Sequence, residues 1–211
     1  MVLTILALVA AYFLGAIPSA YIIGKCRGIN IMEHGSGNVG TTNTFRVLGP
    51  KYGSIVFLMD LGKGFIAAMI GGLIGGQTLS VVAGLIAIVA HTFSIFLRFK
   101  GGKGVATGAG VVFWWCPPAI ICALIVWAIV ALASGYISLA SIIACICCVI
   151  FMISFGAALP QVIICSVAVA FIIYKHKSNL KRLKNGTENK VNWKKACANL
   201  KKKKHSEKSD S

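Results

Sequence analysis

The sequence predicts an all-α membrane protein: a bundle of seven transmembrane helices, with five as the alternative count, its N-terminus outside and its C-terminus cytoplasmic. Three observations carry this. The 211 residues are 57% hydrophobic and only 12% charged, against roughly 25% charged in soluble domains, and mean hydropathy is +0.84. Apolar stretches fill about 2–24, 53–75, 78–97 and most of 105–174, close to the ~20 residues that one crossing needs. Between Gly104 and Tyr174 there is no Lys, Arg, Asp or Glu, whereas soluble core helices rarely go so long without a charged face.

Stretch 2–24 reads as a retained helix. A signal peptide needs positive charge at its start, and the first lysine is Lys25, after the apolar run. Loop 25–52 (Lys25, Arg27, Arg46, Lys51), loop 98–103 (Arg98, Lys100, Lys103) and the segment 175–211 are all basic, so all three are assigned to the cytoplasm. The residues from 104 to 174 must then cross an even number of times. Breaks at Pro117-Pro118, Ser134-Gly135 and Gly156 to Pro160 divide them into four segments, which gives seven helices. Segment 105–116 is short for a full span, so five is the alternative, with two crossings instead of four between 104 and 174. Residues 1–190 form one polytopic domain, and 191–211 form a basic tail expected to be disordered.

The net charge is +16, from 21 Lys and Arg against five acids. A run such as Lys201-Lys202-Lys203-Lys204 is attracted to anionic lipid by ~1 kcal/mol per basic residue near the surface. No aromatic residues alternate with it to stack bases, so nucleic acid is not expected as a partner. Five scattered acids cannot build a metal-dependent phosphatidyltransferase site. Cys145 and Cys148 form a C-x-x-C inside an apolar helix with no second pair nearby, which reads as packing rather than metal or redox chemistry. His205 and Asp210, spaced like the base and orienter of soluble glycerolipid acyltransferases, lie in the polar tail far from any pocket and read as coincidence.

Three polar stretches carry chemistry. In the first, Gly35, Gly37 and Gly40 let the backbone curl so that successive N–H groups face one concavity. Ser36, Asn38, Thr41, Thr42 and Asn43 add neutral donors, and Arg46 adds a planar cation suited to phosphate. The second runs from His91 to Thr107. It ends a span with Lys100-Gly101-Gly102-Lys103-Gly104, glycines and lysines at the start of the next helix, where free N–H groups and the helix dipole favour an anion. It is not a P-loop, because the Gly-Lys-Ser/Thr order is absent. The third holds His176, Asn179 and Arg182 on one helix face, followed by Glu188 and Lys190; an acid among so many cations orients them or moves a proton. A fourth feature, Asp60 with Lys63 three residues on, places charge inside a span, where it costs at least ~2.5–3.5 kcal/mol and marks a functional site by default.

These motifs together resemble the bacterial acyl-phosphate:glycerol-3-phosphate acyltransferases, integral membrane enzymes that form lysophosphatidic acid. Gly35 to Arg46 resembles GSGNxGATNxxR, with Thr41 in place of Ala. His91 to Thr107 resembles GHxFPxxxxFKGGKGVAT, with Ala90 for Gly and Ser94 for Pro. Lys175 to Lys190 resembles RHxxNIxRLxxGTExK, with Lys175 for Arg and Leu180 for Ile. Asp60, Lys63 and Gly64, and Ile17 to Tyr21, also fit.

The resemblance implies a multi-pass protein of the bacterial plasma membrane, active on the cytoplasmic side, that acylates glycerol 3-phosphate from acyl phosphate. Its implied partners are those two substrates, membrane lipid and the soluble enzyme that makes acyl phosphate; no cofactor and no metal are implied. An acyl phosphate is already activated, so direct attack without an acyl-enzyme is expected. His176 is the expected aid to proton transfer, with Glu188 orienting it and Lys103 stabilising developing charge; the donor's own phosphate is the alternative base. The expected binding residues are Ser36, Gly37, Asn38, Gly40, Thr41, Thr42, Asn43, Arg46, Lys63, His91, Lys100, Gly101, Gly102, Gly104, Thr107, Asn179, Arg182 and Lys190. The rival reading is a transporter of an organic phosphate. It would place charges near the midplane of paired repeats, and no internal repeat is seen.

Overall fold

A computed structural model describes residues 1–191; the basic tail beyond, with the His205 and Asp210 pair, lies outside the described residues. The order is α1 (Val2–Ala16), α2 (Ser19–Cys26), α3 (Thr41–Leu48), α4 (Pro50–Thr92), a 3-10 turn (Ile95–Leu97), α5 (Val105–Trp115), α6 (Pro117–Ser134), α7 (Ile137–Ser154), α8 (Leu159–Lys175) and α9 (Lys177–Lys184). No strand occurs among the described residues. By length and composition three helices are candidate membrane spans: Pro50–Leu97, Pro117–Ser134 and Ile137–Ser154; the count is five if each of two bent pairs is one span.

One of these candidates reverses on itself. Gly75 and Gly76 leave helical geometry inside α4, Gly76 at φ 64°. The Ser80 hydroxyl donates to Ala68 O at 2.8 Å across twelve residues, a separation of about 18 Å along a straight helix. Arms 50–74 and 77–92 are therefore an antiparallel hairpin, matching the gap between the apolar stretches 53–75 and 78–97. The hairpin returns loop 93–104 to the end from which α4 began, beside the loop that joins α2 to α3.

The first apolar run is not one straight helix. α1 and α2 meet at 45°, because Pro18 has no N–H to continue the ladder. The break exposes carbonyls that a hydrocarbon environment cannot solvate. Two side chains satisfy them: Ser94 Oγ donates to Ala16 O and Lys63 Nζ donates to Ile17 O. Ser94 stands where the resemblance leads one to expect proline, and its hydroxyl ties the end of the α4 hairpin to the α1 break. The other breaks fall where the sequence placed them. α6 starts at Pro117 and ends at Ser134, and α8 starts beyond Gly156. α8 and α9 meet at 55°.

Small residues let the helices approach closely, as membrane bundles require in the absence of a hydrophobic drive between helices. Ala11, Ala67, Ala83 and Ala87 pack α1 against both arms of α4. A side chain on Gly110 would fall on Leu61 O, and one on Gly64 on Thr107 O, so α5 lies directly on the first arm of α4. α5 to α8 share a second apolar cluster that includes Val112, Ile120, Cys148, Met152, Cys165 and Val169. Cys145 and Cys148 sit in α7 as free thiols. Large apolar side chains such as Leu3, Leu73, Ile125, Leu132 and Ile153 point outward and are exposed, the arrangement lipid favours.

Candidate active site

The three polar stretches meet at one end of the bundle. Asn43 in α3 builds the first. Its Oδ1 accepts from the Ser36 N–H at 2.8 Å and from Arg46 at 3.3 Å, while its Nδ2 donates to Ile31 O and His34 O. This buried side chain, expected among the phosphate ligands, is used up holding the glycine loop in its curled shape. The loop leaves Ser36 and Arg46 exposed and Thr42 half-buried, and Gly37 stands at φ 68°, a conformation that favours glycine.

In the second stretch Gly101 N donates to Thr92 O and Gly102 N to His91 O. A side chain on Gly102 would strike both the His91 ring and Val39 O, so this turn lies against the loop that leads into α3. Gly104 at φ 86° then starts α5. The first turns of α3 and α5 each carry a buried hydroxyl, Thr41 Oγ1 and Thr107 Oγ1, with no hydrogen-bond partner among the described residues. Lys100 is exposed.

The third stretch closes the site. Lys103 Nζ donates to Asn179 Oδ1. Asn179 Nδ2 donates to Glu188 Oε1 at 2.7 Å, Arg182 Nε to Glu188 Oε2 at 2.7 Å, and Ser138 Oγ to Glu188 Oε1 at 2.8 Å. Glu188 was expected to orient His176; instead it orients Asn179 and Arg182, and through Asn179 it sets Lys103. Ser138 escaped the sequence reading because its partner lies fifty positions away and nothing local marks it. His176 is buried, with Nδ1 2.8 Å from Ile172 O. A carbonyl only accepts, so Nδ1 carries a hydrogen, and in the neutral ring that leaves the lone pair on Nε2. Lys190 leaves the centre and lies 5.0 Å from the Tyr136 ring centroid.

Burial pushes Lys103 down to about 8; Glu188 opposes this, while Arg182, Arg46 and Lys175 add to it. Partial desolvation of the guanidinium also lowers Arg46, which senses the charges of Glu188 and Arg182. For Glu188, burial acts upward. Hydrogen bonds from Asn179, Arg182 and Ser138, with the Arg182 charge, outweigh it and hold the carboxyl below its ordinary value. These mutual effects tie Arg46, Lys103, Arg182 and Glu188 into one electrostatic centre.

Lys63 and His91 share a second polar cluster around Asp60. Asp60 Oδ1 accepts from Lys63 at 2.8 Å and from Ser19 Oγ at 2.9 Å, and His91 Nδ1 stands 3.7 Å away. All four are buried inside the bundle; Lys63 also donates to Ile17 O, and the His91 ring lies against Gly102 of the second turn. The Asp60 and Lys63 pair on one helix face is as the spacing predicts.

Fold and site define an integral membrane helical protein whose cations surround two glycine turns at one end. The glycerol-3-phosphate acyltransferase family model matches residues 5–186. The chain is 41% identical to the Geobacillus kaustophilus glycerol-3-phosphate acyltransferase over 192 residues, covering 90% of this chain and 98% of the relative. It is 41% identical to that of Bacillus subtilis, covering 89% and 97%. Crystal structures of PlsY (YgiH), an integral membrane glycerol 3-phosphate acyltransferase, superpose with TM-score 0.86. The glycerol 3-phosphate form is 39% identical, covering 89% of this chain and 95% of that one. The lysophosphatidic acid form is 38% identical, covering 92% and 98%. The chain belongs to the glycerol-3-phosphate acyltransferase family.

Proposed function

We propose that this acyltransferase moves a fatty acyl group from acyl phosphate to glycerol 3-phosphate, giving lysophosphatidic acid and inorganic phosphate. The observation that supports it is the convergence of Arg46, Lys103, Asn179 and Arg182, with His176 and Glu188, beside apolar helices. Both polar substrates are anions and one carries a lipid tail. A sixteen-carbon chain gains more than ~10 kcal/mol from the bilayer at ~0.8 kcal/mol per methylene, so the donor reaches this centre from the membrane.

In this reading Arg46, Lys103 and Arg182, with the open N–H groups around Gly37, Gly40 and Gly104, hold the phosphates. Ser36, Asn38, Thr41, Thr42, Lys100, Gly101, Gly102 and Asn179 line or shape the two turns. The acceptor hydroxyl attacks the acyl carbon, the carbon–oxygen bond to phosphate breaks, and phosphate departs with the electron pair. His176 Nε2 or the donor's own phosphate takes the hydroxyl proton. Lys103 and the loop donors offset charge on the carbonyl oxygen and leaving group, where one well-placed donor contributes ~3 kcal/mol.

We assign seven crossings: α1 with α2, the two arms of α4, α5, α6, α7 and α8. The N-terminus then lies outside and the site on the cytoplasmic side of the plasma membrane, within one domain of residues 1–190. The α4 reversal and the basic loops sharing one end support this. The deciding assay gives detergent-solubilised protein acyl phosphate and glycerol 3-phosphate, with acyl-CoA and acyl carrier protein as separate donors. Release of phosphate with formation of lysophosphatidic acid is expected from acyl phosphate. No turnover without a sealed compartment is the result a transporter of organic phosphate gives, and it would overturn the proposal.

A further inference from the structure

The four-residue cluster of Ser19, Asp60, Lys63 and His91 takes no direct part in the reaction just described. It is nonetheless built at high cost, since charged groups within a bundle are expensive to bury. Its connections show what it holds. Through Ser19 and the Lys63 bond to Ile17 O, it grips the α1–α2 break, and α2 continues through residues 27–34 into the first glycine loop. Through His91 it grips the second turn: the ring has Nδ1 toward Asp60 and its Nε2 edge against Gly102. The His91 and Thr92 carbonyls bind the Gly102 and Gly101 N–H groups. Ser94 adds a third tie, from the end of the α4 hairpin to Ala16 O. Asp60 Oδ1 is the one atom on which Ser19, Lys63 and His91 all converge.

We propose that this cluster is a keystone that fixes the separation of the two glycine turns, with Asp60 and His91 as positioning residues that act on the transfer through Lys103. The inference rests on the reading of Lys103 as a phosphate ligand. Gly101 and Gly102 are the means of transmission, because only an absent side chain lets the turn sit on the His91 backbone and ring. A shift of the turn by an ångström moves Lys103 off the phosphate, a displacement that costs on the order of 100-fold in rate.

The experiment is a double-mutant cycle on full-length solubilised protein. It compares kcat/KM for glycerol 3-phosphate in wild type, His91→Gln, Lys103→Ala and the pair, with thermal unfolding followed alongside. His91→Gln is expected to lower kcat/KM at least ten-fold and to cost less than two-fold further in the Lys103→Ala background, because groups acting in series are not additive. His91→Ala should fall below His91→Gln, since glutamine retains a polar group against Asp60. Equal factors in both backgrounds, or full activity in His91→Gln, would overturn the proposal. Should His91→Gln fail to assemble, Ser19→Ala, which removes one hydrogen bond, takes its place in the same cycle. If that also fails to assemble, the cluster merely holds the bundle together and the inference is wrong. If Lys103→Ala alone keeps wild-type turnover, the phosphate-ligand reading fails first, and the two failures are told apart.

Discussion

Glu188→Gln is the substitution that most directly probes the centre. Glu188 receives three donors, from Ser138 at 2.8 Å and from Asn179 and Arg182 at 2.7 Å each, and its side chain is 5% exposed. Glutamine keeps the shape and one acceptor oxygen, but turns the other position into a donor facing a donor. At least one hydrogen bond to a charged group is lost, a change of about 1.5–3 kcal/mol. Because Asn179 also holds Lys103, that loss falls on the placement of the lysine in the transition state. At 1.36 kcal/mol per factor of ten, kcat/KM should fall about 10- to 150-fold. The assay is phosphate release from acyl phosphate with varied glycerol 3-phosphate, in detergent, near pH 7. The sign with pH is fixed. A carboxyl lowered by folding contributes fully above its ordinary value of 4.5 and loses that contribution as pH falls through its lower folded value, so the wild type stays intact near neutrality. A drop of less than two-fold in a well-folded variant would refute the chain of orientation from Glu188 through Asn179 to Lys103.

Further outcomes follow from the same geometry. A lysine gives up its proton as pH rises, so the attraction of Lys103 for phosphate is full below about 8 and fades above it. The kcat/KM profile should bend down near that pH, and Lys103→Arg should remove the bend from the accessible range. Arg46→Ala and His176→Ala should each lose most of the activity while keeping wild-type thermal unfolding, and near-normal turnover in either removes its assigned role. Gly110→Val puts the side-chain Cβ onto Leu61 O; overpacking of about 1–3 kcal/mol or more should lower the unfolding temperature, and an unchanged temperature would contradict the close approach of α5 to α4.

Much of this arrangement was legible because lipid imposes strong rules on sequence. The uncharged stretch from 104 to 174, the prolines at 117 and 118 and the gap between the apolar stretches 53–75 and 78–97 each mark a helix or its end by physics acting within a few residues. The break at Pro18 was hidden inside an apolar run, because the groups that repair it, Lys63 and Ser94, lie more than forty positions away. The same distance effect hides the partners of several polar side chains. Asn43 looked like a ligand because its type fits phosphate, but its bonds go to Ile31, His34 and Ser36. Lys63 bonds to Asp60 and Ile17 O, while His91 Nδ1 stands 3.7 Å from Asp60. The pairing of Asp60 with Lys63 could be read because it spans a single helical turn; that of Glu188 with Ser138 could not.

α5 contains 11 residues where α6, to which it is joined through Cys116, contains 18. At 1.5 Å per residue these are about 16 Å and 27 Å long, so α5 stops roughly 10 Å short of its neighbour's full reach. If α5 crosses as the proposed seven-span reading has it, the bilayer it bridges is thinner than α6 needs, and the lysine-bearing turn at its start lies correspondingly deeper. A donor molecule could then present its reactive carbon without being hauled out of the leaflet, and its hydrocarbon would stay solvated by its neighbours throughout.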